Sequence, residues 1–277
     1  MLRLLLAAVL LVLSPPLARA GDDPQYQVIW KDAPRLHQRF GGVLDASSPR
    51  VVRAAQVAVW YFNFQRGSPS SLRVLSGPVK RASLKVIPGV GRKYFLQFAT
   101  RDLGELVTRD LHTLQKPGMC SASVFYRKTK PKPLVEIECS NVKDLNQQTW
   151  EDYRLYFRII GNSKYSQYDL LSLANLGSSY IAWEKSTEDS SYSMLAVENI
   201  KHWKREDDSL EFDYTVVLHN EALEPTISCH THLVWMPKYP VKVKYDCSSE
   251  EPSGSADGSG MEPGSANGFL IEPESNF

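Results

Sequence analysis

Two histidines one residue apart, His230 and His232, are the first candidates for chemistry, because alternate residues of a strand share a face and two imidazoles can chelate a metal ion. Two ligands do not complete a site, and no third His or Cys follows at ligand spacing, so the pair reads as ordinary surface or hydrogen-bonded histidines. Gly89-Val90-Gly91 begins like a dinucleotide fingerprint but continues Arg92-Lys93-Tyr94 in a strand-rich stretch, which makes it a turn. No helix carries two His around a Glu, and neither Gly-x-Ser-x-Gly nor a phosphate loop occurs. These residues predict a protein that is not an enzyme and holds no metal or cofactor.

The cysteines are more informative. Cys120 and Cys139 are 19 residues apart, Cys229 and Cys247 are 18 apart, and each pair opens one extended segment and closes the next. In an antiparallel hairpin the start of one strand lies opposite the end of the following one, so the spacing predicts disulfides Cys120–Cys139 and Cys229–Cys247. Ser248 and Ser249 each have a Glu two positions on, a pattern read by secretory-pathway kinases, and Ser186 and Ser209 fit it too. Phosphate added beside carboxylates would suit calcium. The strong strand Phe212–Leu218 runs into the polar stretch His219-Asn-Glu-Ala-Leu-Glu224-Pro225, a hairpin able to present a few side chains to a partner's cleft.

The elements that position these residues occur twice. Ser48 and Pro49 suit the N-cap and first turn of a helix that continues Val51, Ala55, Val59, Phe62 and stops at Gly67; Asp169–Trp183 reads as its counterpart. A polar turn and extended segments follow each helix: Leu72–Ile87, Lys93–Phe98, Ser121–Tyr126 and Leu134–Ile137, then Met194–Trp203, Phe212–Leu218, Thr231–Met236 and Val241–Tyr245. The fold class is therefore α+β, two tandem units of one helix and a four-stranded antiparallel sheet. Between them, Trp150, Tyr153, Phe157 and Ile160 predict an amphipathic linker helix buried in the groove between the units.

Composition sets the outer limits. Of 277 residues, 43% are apolar and 23% charged, an ordinary globular balance. Arg3, the apolar run Leu4–Leu13, Pro15-Pro16 and Ala18-Arg19-Ala20 form a secretory signal cut after Ala20, too short for a membrane span. The tail from Ser248 holds six acids and no base, leaving the rest of the mature chain at +5; without a Lys/Arg cluster, nucleic acid is not the expected partner. Rich in Ser, Gly, Pro and Glu, that tail is expected to stay disordered. The predicted organisation is signal 1–20, leader 21–47, first unit 48–143, linker helix 144–164, second unit 165–247 and acidic tail 248–277.

Several strings resemble the latexin family: LGSSYIAWEKSTED (Leu176–Asp189), DDSLEFDYTVVLHN (Asp207–Asn220) and HLVWMPKYPVKVKYDC (His232–Cys247), with AQVAVWYFNFQRGSPSSLRVL (Ala55–Leu75) and IPGVGRKYFLQF (Ile87–Phe98) in the first half. The signal, four cysteines and Ser/Gly/Glu tail are most similar to its secreted, eggshell-matrix type. The resemblance implies two cystatin-like units, no catalytic residues, and inhibition of zinc carboxypeptidases of the A/B type through the second unit and linker region. It implies inhibitory contacts at His219 and at Glu224, where the family's neutral Gln is replaced by an acid. The Gln-x-Val-x-Gly hairpin of cystatins is absent from both units. The eggshell type further implies matrix or calcium carbonate mineral as partners and an extracellular location.

Overall fold

The computed structural model describes residues 42–104, 117–161, 167–220 and 226–249. The signal, most of the leader, the segment Tyr26–Trp30, Glu224 and the chain beyond Ser249 lie outside the described residues.

Helix α1 (Pro49–Arg66) begins where expected, with Ser48 extended at the N-cap and Pro at the first position, and ends on Gly67 in the left-handed conformation at φ 62°. Five strands follow: β1 (Arg73–Leu75), β2 (Arg81–Ile87), β3 (Gly91–Asp102), β4 (Gly118–Arg127) and β5 (Lys130–Cys139). The segment read as one strand over Leu72–Ile87 is thus two, giving the first sheet five strands rather than four. Gly77, at φ 83°, and Pro78 lie at the break, and both β1 and β2 pair with β3, at its opposite ends. Pro88-Gly89 closes a tight turn between β2 and β3, with Gly89 at φ 76° and Val90 N–H donating to Ile87 O at 3.0 Å.

Helix α2 (Leu145–Ile160) starts on Asp144, whose carboxylate accepts from Asn146 and Gln147 N–H, both at 2.9 Å. Helix α3 (Gln167–Lys185) opens the second unit and leads to β6 (Tyr192–Lys204), β7 (Leu210–Asn220), β8 (Thr226–Trp235) and β9 (Lys242–Ser249), an antiparallel meander. Both disulfides form as predicted, Cys120–Cys139 and Cys229–Cys247, each between directly opposed residues of neighbouring strands. On the loop-entropy account each stabilises its sheet by roughly 3 kcal/mol.

Each sheet covers one side of a helix. In the first core Ala54, Ala55, Val57 and Ala58 of α1 meet Tyr94, Leu96, Phe98, Ala122 and Val124; in the second Leu173, Leu176 and Ile181 of α3 meet Phe212, Tyr214, Val216, Leu218, Leu233 and Trp235. The cores are joined along the helices. Trp183 of α3 belongs to the first core, Tyr180 and Phe64 pack against both, and Phe64 meets Tyr180 at 4.5 Å between ring centroids.

Helix α2 forms where expected but turns a different face inward. Leu155, Tyr156 and Ile159 enter the second core with buried Gln148 and Asp152, whereas Trp150 and Phe157 are each 60% exposed. The stripe Trp150-Tyr153-Phe157-Ile160 is therefore not the buried one. Spacing alone does not separate two apolar stripes offset by one or two positions, and the inner one contains an acid. That acid is satisfied: Asp152 accepts from Ser68 Oγ at 3.0 Å and from Ser70 Oγ at 2.6 Å, in the turn after α1. Helix α2 thus packs its apolar residues on the second unit and ties a polar one to the first.

Candidate functional site

The hairpin β7–β8 is built on strict alternation. Leu210, Phe212, Tyr214, Val216 and Leu218 point into the second core, and Glu211, Asp213, Thr215, Val217 and His219 point out. His219 lies in the last rungs of this ladder, paired with Ser193 of β6 on one side and Thr226 of β8 on the other, and is half-buried. Its partner in the inhibitory expectation, Glu224, falls in the hairpin tip, outside the described residues. Only the base of the loop is on view, and it is well held.

Three restraints converge there. The Cys229–Cys247 bond ties β8 to β9 three residues past Thr226. Asn220, 2% exposed, accepts from Ser190 Oγ at 3.1 Å. Ser190 belongs to the turn after α3, closed by Thr187 N–H donating to Ser190 O at 2.8 Å and by Ser190 N–H donating to Thr187 Oγ1 at 3.1 Å. The same turn carries Glu188, which accepts from Tyr94 Oη at 2.5 Å and pairs with Arg92 at 3.0 Å, and Asp189, which pairs with Arg50 at 2.7 Å. The hairpin base is thereby connected to the first unit through one short turn. Burial raises the Tyr94 phenol well above its ordinary pKa, reinforced by the hydrogen bond to Glu188, so the hydroxyl keeps its proton and remains a donor at every physiological pH.

His230 and His232 share the outer face of the second sheet, as their alternation requires. Each imidazole meets a carboxylate: His230 Nε2 lies 2.9 Å from Asp213 Oδ1, and His232 Nε2 lies 3.0 Å from Glu211 Oε1. Among the described residues no group of three or more His, Cys, Asp or Glu is arranged to hold a metal ion. Of the serines with a Glu two positions on, Ser186 and Ser209 are 0% and 6% exposed, while Ser248 is exposed. Ser248 and Ser249 are part of β9, opposite Ser228 and Ile227, with Ser248 Oγ donating to Ser228 O at 3.3 Å. A kinase that binds extended substrate would have to peel this strand end.

What sequence reasoning missed is the support rather than the loop. Asn220 and Ser190 are thirty residues apart and neither stands out by type. Glu188 is one acid in a polar turn until the fold places it against Tyr94.

Two helix-and-meander units, each closed by a strand-to-strand disulfide, with a buttressed hairpin at the end of the second, define the class: a duplicated helix-on-sheet protein. The sequence profile of the latexin family matches residues 44–253. This chain belongs to the latexin family. It is 36% identical to human retinoic acid receptor responder protein 1 over 248 residues, covering 81% of this chain and 83% of that one. It is 33% identical to chicken ovocalyxin-32 over 286 residues, covering 98% and 97%. To human latexin it is 30% identical over 210 residues, covering 70% and 90%.

Proposed function

We propose that this protein is a secreted, non-enzymatic inhibitor of zinc carboxypeptidases of the A/B type, acting in an eggshell matrix. The observation that carries the reading is the braced base of the β7–β8 hairpin: His219 sits in a ladder held by Asn220–Ser190 and by Cys229–Cys247. A hairpin base held in place before binding has little conformational entropy to lose on docking, which favours insertion into a cleft. The near full-length similarity to ovocalyxin-32 supports the eggshell setting, and the similarity to latexin supports the inhibitor scaffold. In this reading His219 and Glu224 are the contacts, and the units span 48–143 and 165–247 with the linker helix at 144–164. The test is titration of the mature chain against a purified carboxypeptidase A or B. Stoichiometric loss of activity is expected, and undiminished activity at a tenfold excess rejects the reading.

A second reading rests on the six carboxylates after Ser248, with no base among them. Here the tail binds calcium carbonate and the folded units act as a stable body, with or without phosphate on Ser248 and Ser249. Each carboxylate contact in water is worth only ~1 kcal/mol, so attachment is collective and salt-sensitive. Adsorption to calcite, measured for the mature chain and for a chain ending at Ser249, separates the readings: mineral binding requires the tail, inhibition does not.

A further inference from the structure

Helix α2 presents to solvent a face that does not match a solvent role. Trp150 and Phe157, two turns apart on this face, are each 60% exposed. Tyr153 stacks on Phe157 with centroids 6.1 Å apart. Two cations lie over these rings, the Arg154 guanidinium 4.6 Å from the Trp150 centroid and Lys238 Nζ 5.6 Å from that of Tyr153. Among the described residues neither cation has a carboxylate within ion-pair distance. A run of exposed rings capped by uncompensated cations fits an occupant that is both apolar and acidic.

We propose that this face docks the chain's own segment Phe269–Glu274. After Ser249 the residues are Ser, Gly, Pro, Ala, Asn and acids apart from the isolated Met261, the terminal Phe277 and one apolar run, Phe269-Leu270-Ile271, which is followed at once by Glu272-Pro273-Glu274. The apolar triplet lies on Trp150, Tyr153 and Phe157, and the two carboxylates face Arg154 and Lys238. The geometry permits it. Strand β9 ends at Ser249 opposite Ile227, while α2 meets the other end of β8, where Tyr156 and Trp235 are 6.4 Å apart. Eight strand steps from Ile227 to Trp235 span about 27 Å. The nineteen residues Glu250–Gly268 reach at most about 60 Å when extended, and a Gly/Ser-rich chain of that length averages roughly 24 Å end to end. A tether whose mean length matches its span gives an effective concentration near its maximum, in the mM range, so even a weak contact is populated. The inference does not depend on the inhibitory reading.

The experiment is photo-crosslinking in the full mature chain with Leu270→p-benzoylphenylalanine, followed by mass mapping, using a mixture of isotopically heavy and light protein. Crosslinks from position 270 to the peptide containing Trp150–Phe157, within one chain, are expected. Their yield should fall at least about fivefold in Trp150→Ser/Phe157→Ser and decrease with added salt. Crosslinks confined to heavy–light pairs would overturn the proposal by making a second copy the occupant. Crosslinks to other surfaces, or a yield unchanged by the double substitution, would also overturn it. Reversal of both charges, Arg154→Glu/Lys238→Glu, gives a second check: these exposed positions tolerate substitution, and an undiminished yield there would remove the electrostatic part.

Discussion

Tyr94 and Glu188 are ninety-four residues apart in the chain, yet the phenol of one donates to the carboxylate of the other at 2.5 Å, across the boundary between the two units. Glu188 is largely sheltered, 16% exposed in its side chain, and also pairs with Arg92. The bond therefore does more than an exposed ion pair would. It holds the turn that, through Ser190, supports Asn220 at the base of the hairpin.

Glu188→Ala should lower stability to urea by about 1.5–3 kcal/mol, the range for a charge-assisted hydrogen bond whose donor is left partly buried. Glu188→Gln keeps an acceptor and should cost less. If the turn also supports the hairpin, hydrogen exchange at Leu218 and His219 should quicken in the alanine variant; protection equal to that of the parent would confine Glu188 to joining the units.

Asp152 offers a pH-dependent signature. Burial pushes its carboxyl above the ordinary Asp range, and the hydrogen bonds from Ser70 and Ser68 offset this only in part. A raised folded-state pKa means that the native protein holds its proton more tightly than the unfolded chain does. The resulting contribution is fully present below the unfolded value, near 3.8, and is lost as pH rises through the folded one. Asp152→Asn should thus look relatively better at pH 7 than at pH 4 in paired urea titrations. Asp152→Ala, which leaves Ser68 and Ser70 without their acceptor, should cost about 1–3 kcal/mol. A difference between Asp152→Asn and the parent that does not change with pH would refute the assignment.

Gly177 lets α3 pack closely against the second sheet. A Cβ there would fall 2.1 Å from Tyr214 Oη and 3.1 Å from Leu233 Cδ1. In an open helix Gly→Ala gains about 1 kcal/mol; here overpacking, typically ~1–3 kcal/mol, should reverse the sign. Tyr214→Phe removes the nearest atom, so the double variant should be more stable than the sum of the singles. Strict additivity in thermal denaturation would show that the helix simply shifts away.

For the hairpin, His219→Ala is expected to weaken binding to a carboxypeptidase by about 1–2 kcal/mol, as for a contact hot spot. Glu224→Gln should strengthen it by replacing the acid with a neutral amide. Inhibition constants for the two variants that match the parent would leave the hairpin a connector.

Much of this architecture was legible because it depends on near neighbours. Ser48-Pro49 and Gly67 bracket α1, Asp144 caps α2, and the alternation of β7 follows from its own residues. Cysteine spacing sufficed for the disulfides because hairpin register is local. The inward face of α2 was not legible: Asp152 is buried only because Ser68 and Ser70, more than eighty residues away, supply its hydrogen bonds. The same holds for the hairpin support, which joins Ser190 to Asn220 and Glu188 to Tyr94 through the tertiary fold. Loop chemistry could be read from residue types, whereas its buttress required the packed structure.

Strand β5 has a consequence for behaviour at high concentration. It forms one edge of the first sheet and begins Lys130-Pro131-Lys132-Pro133. The two prolines remove amide donors, Trp183 Nε1 donates to the Pro133 carbonyl at 3.1 Å, and Lys132 Nζ lies 3.9 Å from the Trp183 ring centroid. At this end of the edge an incoming strand from another molecule meets two positions without an amide donor and the Lys132 cation. At an edge of the second sheet, β9 exposes Lys242 and Lys244. Such borders oppose sheet-to-sheet fibrillation when the protein is concentrated.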